Sequence, residues 1–200
     1  MSQPETIVHT LRSRGSVLLG WAGAVPLVLL VLFSWDSSVL LRSVLLLVAA
    51  LSWVLLVRPF VRIDVTGVTV GNPFRQVQLP WRLIEDTYHR WNLEIYAAGR
   101  TVSAWAISAH IERPKGVGMF GLGGLAKSPD RDAADRPTGA MTAYRAAQLV
   151  ESVREEWLEA VREGELSEPA DPRITTAWQP LEVAVVGLPL LGVLVGLLVR

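Results

Sequence analysis

The chain has 200 residues, half of them hydrophobic, and its mean hydropathy is +0.34. This is too apolar for an ordinary soluble domain. Because the apolar residues collect near both ends, the composition predicts a membrane protein with a soluble middle. Nineteen basic residues balance nineteen acidic ones, so net charge favours neither nucleic acid nor an acidic partner. The chain has no cysteine, which excludes disulfides, thiolate zinc sites and cysteine nucleophiles.

Three apolar segments predict membrane-spanning helices over residues 16–34, 38–57 and 181–199. A helix rises ~1.5 Å per residue and the hydrocarbon core is ~30 Å thick, so roughly 20 residues cross it. The first two spans are separated only by "SWDSS", which predicts a tight hairpin with Arg42 snorkelling to the interface near Asp36. The alternative of a cleaved signal peptide fits poorly, because the first apolar run is too long and a second one follows immediately.

Basic residues at the span ends predict the orientation. Arg12 and Arg14 precede the first span, in a tail of residues 1–15, and Arg58 and Arg62 follow the second. We therefore expect a multi-pass protein of the inner (plasma) membrane, with membrane lipids around its three helices and its N-terminus and central region in the cytoplasm. Three tryptophans suit the interfacial belts, two at the inner interface and one at the outer: Trp53, Trp178 and Trp35.

Residues 58–165 change to a β pattern closed by a helix. "FVRIDV" and "WNLEIYA" alternate, which would place Val61, Ile63 and Val65, and then Trp91, Leu93 and Ile95, on buried faces. Turns at about 8–12-residue spacing favour an antiparallel meander. Residues 138–164 predict a covering helix with Thr138 as N-cap and Gly164 as its stop, followed by a linker of residues 166–180. The acidic side of this helix is read as a solvated face, with a docking surface for a basic partner as the alternative.

A family resemblance begins where the two spans lead into "RIDVTGVTVGNPFRQVQLPWRLIED", then a Trp-led strand and "RTVSAWAIS". This stretch, roughly residues 58–109, resembles the bacterial pleckstrin-homology-like (PH-like) family named after low molecular weight protein antigen 6, found in actinobacterial membrane proteins. The resemblance implies a bent antiparallel sheet or partial barrel plugged by a C-terminal helix, and protein contacts as the default role. A third span is not expected in every member of that family. The core of the motif comprises Asp64, Gly67, Asn72, Pro73, Pro80 and Trp81.

A glycine-rich segment, residues 110–137, contains "GLGGLAKS", which is one residue away from a phosphate-binding P-loop. Ala126 replaces the second motif glycine, Pro129 follows almost at once, and an antiparallel sheet does not build such a site, so we predict no nucleotide or other cofactor. Three interpretations remain for the segment: a flexible connector, a loop that dips into the membrane interface through Met119 and Phe120, or a loop that folds over the domain.

No pattern in the chain predicts catalysis. The three histidines are scattered without metal-ligand spacing, and no serine lies in a nucleophile elbow. In the third span, Gly192 and Gly196 form a G-x-x-x-G pair that predicts close contact with another helix, in this chain or in a second copy. The sequence therefore predicts a non-enzymatic scaffold or assembly factor for an unidentified membrane or cytoplasmic protein, with neither metal nor nucleic acid. The alternative function is a sensor of lipid headgroups at the membrane surface.

Overall fold

The computed structural model describes residues 9–34, 37–108, 142–167, 169 and 171–199. Over these residues the chain is α+β, with antiparallel strands and three helices long and apolar enough to cross a membrane. This confirms the predicted fold class at that level. The predictions for Trp35, Asp36, Thr138 and the glycine-rich segment with Met119 and Phe120 lie outside the described residues.

The described residues contain four α-helices and eight strands. The helices are α1 (Arg14–Phe33), α2 (Val39–Ser52), α3 (Ala143–Arg162) and α4 (Pro180–Leu198). A π-helical turn, Trp53–Val57, extends α2, and a 3₁₀ turn occupies Trp81–Leu83. The strands are β1 (His9–Leu11), β2 (Phe60–Asp64), β3 (Gly67–Gly71), β4 (Arg75–Pro80), β5 (Ile84–Tyr88), β6 (Asn92–Ala97), β7 (Arg100–Ser108) and β8 (Thr175–Trp178).

The apolar helices α1 and α2 begin at serine caps. The Ser16 amide donates to Ser13 Oγ at 3.3 Å, and the Leu41 amide donates to Ser38 Oγ at 3.2 Å. Each bond satisfies an N–H group that has no partner within its own helix. The Arg42 guanidinium donates twice to the Ser37 carbonyl, at 3.0 and 2.7 Å, so its charge lies at the hairpin end of α2. Helix α2 packs against both α1 and α4.

The strands form two antiparallel sheets that separate at the Trp81–Leu83 turn. The larger sheet has the order β1-β2-β3-β4-β8 and the smaller one β5-β6-β7. In the larger sheet Val61 is paired with Val70, and Val70 with Val77, so an apolar row crosses three strands. Strands β1 and β8 lie in the segments predicted as a tail and a linker. The β region therefore begins before the first apolar helix and resumes just before the last one.

Two residues predicted on buried faces are exposed instead. Val65 is 39% exposed because it lies in the tight turn that Asp64 and Gly67 close between β2 and β3. Trp91 is 65% exposed because it precedes β6, outside the paired register. Both predictions were wrong for one reason. Each residue lies just outside the paired strand, where the pleat no longer determines on which face of the sheet a side chain lies.

Helix α3 covers the smaller sheet. Its N-cap is Thr142, whose Oγ1 accepts from the Arg145 amide at 3.3 Å, and Gly164 follows its end with φ +76°. A left-handed glycine just after a helix satisfies its last carbonyls, as predicted for this residue. The buried side of α3 packs on β5, β6 and β7 and comprises Ala143, Ala146, Ala147, Val150 and Trp157.

Candidate functional site: the junction of sheet and helices

Each apolar helix continues directly from or into a strand of the larger sheet. The connecting residues are Arg12–Ser13 between β1 and α1, Arg58–Pro59 between the π-helical turn and β2, and Gln179 between β8 and α4. Connections this short leave little freedom between the elements they join. The sheet is therefore attached to the helices at three points, and the buried Glu182 lies at one of them.

The strongest interaction at the junction is an ion pair between Arg58 and Glu182. Arg58 Nε donates to Glu182 Oε1, and Arg58 also donates to the Gln179 side-chain oxygen at 3.4 Å. Glu182 is only 1% exposed and lies in the first turn of α4, where the helix dipole favours a negative charge. Its second oxygen, Oε2, is buried with no hydrogen-bond partner in the described part of the chain. A carboxylate in this setting requires its cation, because an unpaired buried charge is costly.

Gln179 joins the same cluster to the sheet. Its amide N–H donates to the Phe74 carbonyl at 2.9 Å, and its side-chain nitrogen donates to Gln76 Oε1 at 3.2 Å. Nearby, the Arg12 and Arg58 guanidinium groups lie 5.4 and 5.8 Å from the centroid of the Phe60 ring. Guanidinium groups at this distance are attracted to an aromatic face. The residues that connect the three apolar helices to the larger sheet therefore meet around β2 and β4.

The smaller sheet is tied to the junction by Trp105 and Asn72. Trp105 Nε1 donates to the Leu55 carbonyl at 3.1 Å, inside the π-helical turn, and the Trp105 amide donates to Asn72 Oδ1 at 2.9 Å. Asn72 in turn donates to the Ser103 carbonyl at 2.9 Å. Leu55 lies in the last turn of the second apolar helix, and Pro59, four residues later, has no N–H to donate to its carbonyl. Asn72 thereby links the two sheets, and Trp105 links the smaller sheet to α2.

The remaining motif residues stabilise turns and contacts within the fold. Asp64 Oδ1 accepts from the Thr66 amide at 2.9 Å, and the Asp64 carbonyl accepts from Trp81 Nε1 at 2.9 Å. Gly67 is required because a Cβ there would lie 2.1 Å from the Leu79 carbonyl oxygen and 2.9 Å from Pro80 Cα. Pro73 lies in the turn between β3 and β4, which the Asn72 amide closes onto the Arg75 carbonyl at 2.9 Å.

The predicted glycine pair of α4 lies against α2 of the same chain. A Cβ on Gly192 would lie 2.4 Å from Ser43 Oγ, and one on Gly196 would lie 2.9 Å from Leu40 Cα. On the other side of α2, a Cβ on Gly20 would lie 2.5 Å from a methyl of Val57. Small residues let apolar helices approach closely where no hydrophobic force brings them together.

A groove opens beside the junction, between the start of α1, the end of the π-helical turn and one end of the smaller sheet. Its volume is about 420 Å³, and its lining includes Ser13, Ser16, Leu55, Trp91, Asn92 and Trp105. Volumes of about 300–1,000 Å³ are typical of small-molecule sites. The walls are mainly apolar, and the polar groups come from two serines and one asparagine.

The titratable groups described do not form a metal cluster. In residues 9–34, 37–108, 142–167, 169 and 171–199 there is no group of three His, Asp or Glu side chains that could hold a metal ion. The His89 ring contacts Tyr144 edge-on at 5.1 Å, which joins the β5–β6 turn to α3. A hydrogen bond to Asp86 and the charge of that carboxylate raise the pKa of Tyr88 above its ordinary value.

Sequence reasoning did not identify β1, β8 or the Arg58–Glu182 pair. Two signals were available. "ITTAW" is rich in β-branched residues, which favour strands, and an ionisable residue near the start of an apolar helix is itself an indication of a specific partner. Strand β1 is three residues long, too short to show a period.

Comparison of the chain with protein-family models, curated proteins and solved structures finds no match. The PH-like resemblance therefore rests on the residues quoted above.

Proposed function

We propose that this protein is an integral protein of the bacterial inner membrane that presents a PH-like β domain to the cytoplasm as a non-enzymatic scaffold or assembly factor. The observation that carries the proposal is the three-point attachment of the larger sheet to the apolar helices. A domain attached in this way has a defined height and orientation at the membrane. A freely tethered domain would be joined through one long linker.

The surface of the helices supports the membrane placement. Their large apolar side chains point outward: Leu18 on α1 and Leu188 on α4 are each 71% exposed. Burying apolar area contributes about 25 cal/mol per Å², so a surface of this kind is unfavourable in water and favourable in lipid. The arginines at the junction, Arg12, Arg14 and Arg58, support a cytoplasmic β domain by the positive-inside rule.

The arrangement of the β region supports the PH-like assignment. Two antiparallel sheets enclose one core, and α3 packs against the smaller sheet. The resemblance implied a bent sheet plugged by a C-terminal helix. In that family type the fold serves contacts between proteins, which makes a protein partner the first expectation.

The test is the native mass of the full-length protein, extracted gently from its own membranes. We expect a discrete complex in which a second protein is present in stoichiometric amount. The matched variant Arg58→Met, which breaks the junction, should reduce recovery of that partner, whereas Arg75→Met on the same sheet should not. A monomer in the wild-type sample would contradict the scaffold proposal.

A further inference from the structure

The groove between α1, the π-helical turn and the smaller sheet has the position and chemistry of a lipid site. Its polar residues, Ser13 and Ser16, lie in the cap and first turn of α1, and Leu55 lies where the second apolar helix ends. If α1 and α2 cross the membrane, the start of α1 and the end of the second apolar helix both lie at the bilayer surface. The inference rests on the proposed membrane placement and is independent of a protein partner.

Two tryptophans, Trp91 and Trp105, line the groove. Trp91 and Trp105 are 65% and 60% exposed, although Leu93 and Ile95 of the neighbouring strand β6 are fully buried. Indole rings are enriched at the level of lipid headgroups, because they have an apolar body and one N–H donor. Trp105 is fixed there by its hydrogen bond to the Leu55 carbonyl.

Three arginines are next to groove-lining residues in the sequence. Arg12 and Arg14 flank Ser13 in the chain, and the Arg90 guanidinium lies 5.9 Å from the Trp91 ring centroid. All three arginines are exposed, and none of the residues that line the groove is acidic. An exposed cation near the bilayer surface strengthens attraction to anionic lipids by about fivefold for each Lys or Arg.

We infer that this groove binds one anionic phospholipid of the adjoining leaflet. The phosphate lies toward Arg12, Arg14 and Arg90, the glycerol region contacts Ser13, Ser16 and Asn92, and the start of an acyl chain packs along Leu55 and Trp105. A lipid is favoured over a protein segment because the groove opens at the predicted bilayer surface, where phospholipid is always present. The cationic rim selects an anionic headgroup over a zwitterionic one.

The test uses the full-length protein in vesicles of phosphatidylcholine with phosphatidylglycerol. In parallel samples, one lipid or the other carries a photoactivatable group near its headgroup. Labelled positions are mapped by peptide mass spectrometry. We expect phosphatidylglycerol to label the peptides around Trp91 and Trp105 several-fold more than phosphatidylcholine does.

Two variants with matched controls localise the site. Arg90→Gln should reduce this labelling about fivefold, whereas Arg100→Gln, at the far end of the same sheet, should leave it unchanged. Ser16→Trp should fill the groove and abolish labelling, whereas Leu18→Trp, on an exposed position of the same helix, should not.

Equal labelling by the two lipids, or labelling unaffected by both Arg90→Gln and Ser16→Trp, would overturn the lipid site. Vesicle flotation distinguishes failure of the lipid site from failure of the membrane placement. Protein that does not float with the vesicles would contradict the placement and the lipid site together, whereas floating protein with unselective labelling contradicts the site alone.

Discussion

The helices and the β domain place their apolar residues in opposite ways. In the domain, Val61, Ile95 and Leu93 are fully buried. In the helices, Leu18 and Leu188 point outward, while Gly20, Gly192 and Gly196 lie in the contacts. The domain is stabilised by removing apolar area from water, and the helices by close backbone approach. Where the two regions meet, polar contacts are added, among them the Arg58–Glu182 pair.

The largest effect is expected from breaking the buried ion pair at this boundary. Arg58→Met leaves the buried Glu182 without its cation, which should lower the free energy of unfolding by about 3–5 kcal/mol. The double variant Arg58→Met/Glu182→Leu removes both charges and should recover most of the loss. Denaturant titration of the full-length protein in detergent measures both values. A double variant as unstable as the single one would show that the pair does not act as a unit.

An added side chain at Gly196, the second glycine of the pair in α4, should weaken the packing of α4 against α2. In Gly196→Val a Cβ would meet the α2 backbone at Leu40, and overpacking of this kind costs about 1–3 kcal/mol. Gly187→Val on the same helix is the control, because no described atom lies within 4 Å of a Cβ there. The same titration compares them, and equal stability of the two variants would refute the α2–α4 packing.

Within the β domain, the structure and the sequence-based prediction give different N-caps for α3, Thr142 in the structure and Thr138 in the prediction. Thr142→Ala removes the acceptor of the Arg145 amide and should destabilise the protein by about 1 kcal/mol. Thr138→Ala, at the position that the sequence suggested, should have no effect. Loss of stability in the Thr138 variant alone would contradict Thr142 as the N-cap of α3.

The smallest effect is expected at the contact between the smaller sheet and α2. Trp105→Phe keeps the ring but removes the donor to the Leu55 carbonyl, which should cost about 0.5–1 kcal/mol. Trp91→Phe, at another exposed tryptophan of the groove, is the control. If both variants match the wild-type unfolding midpoint, this hydrogen bond does not hold the domain to the helix.

Much of the architecture could be predicted from local sequence patterns. Long apolar runs predicted three helices, because their length and composition suit a bilayer, and alternation over "FVRIDV" and "WNLEIYA" predicted strands, because it reports one buried face. The junction could not be predicted in this way. Arg58 and Glu182 are 124 positions apart, so their pairing depends on how the elements meet. Strand β8 was missed for a similar reason: it is exposed throughout and depends on its pairing with β4.

The most direct test of the central claim is a cross-link between β4 and β8 in native membranes. Because the chain has no cysteine, Gln76→Cys/Ala177→Cys introduces a single pair at opposed positions. Under mild oxidation we predict efficient disulfide formation for this pair. Little is expected for Gln76→Cys/Thr175→Cys, whose positions lie diagonally at a separation of about 7–8 Å. Equal cross-linking of both pairs, or none in either, would contradict the attachment of the sheet to α4.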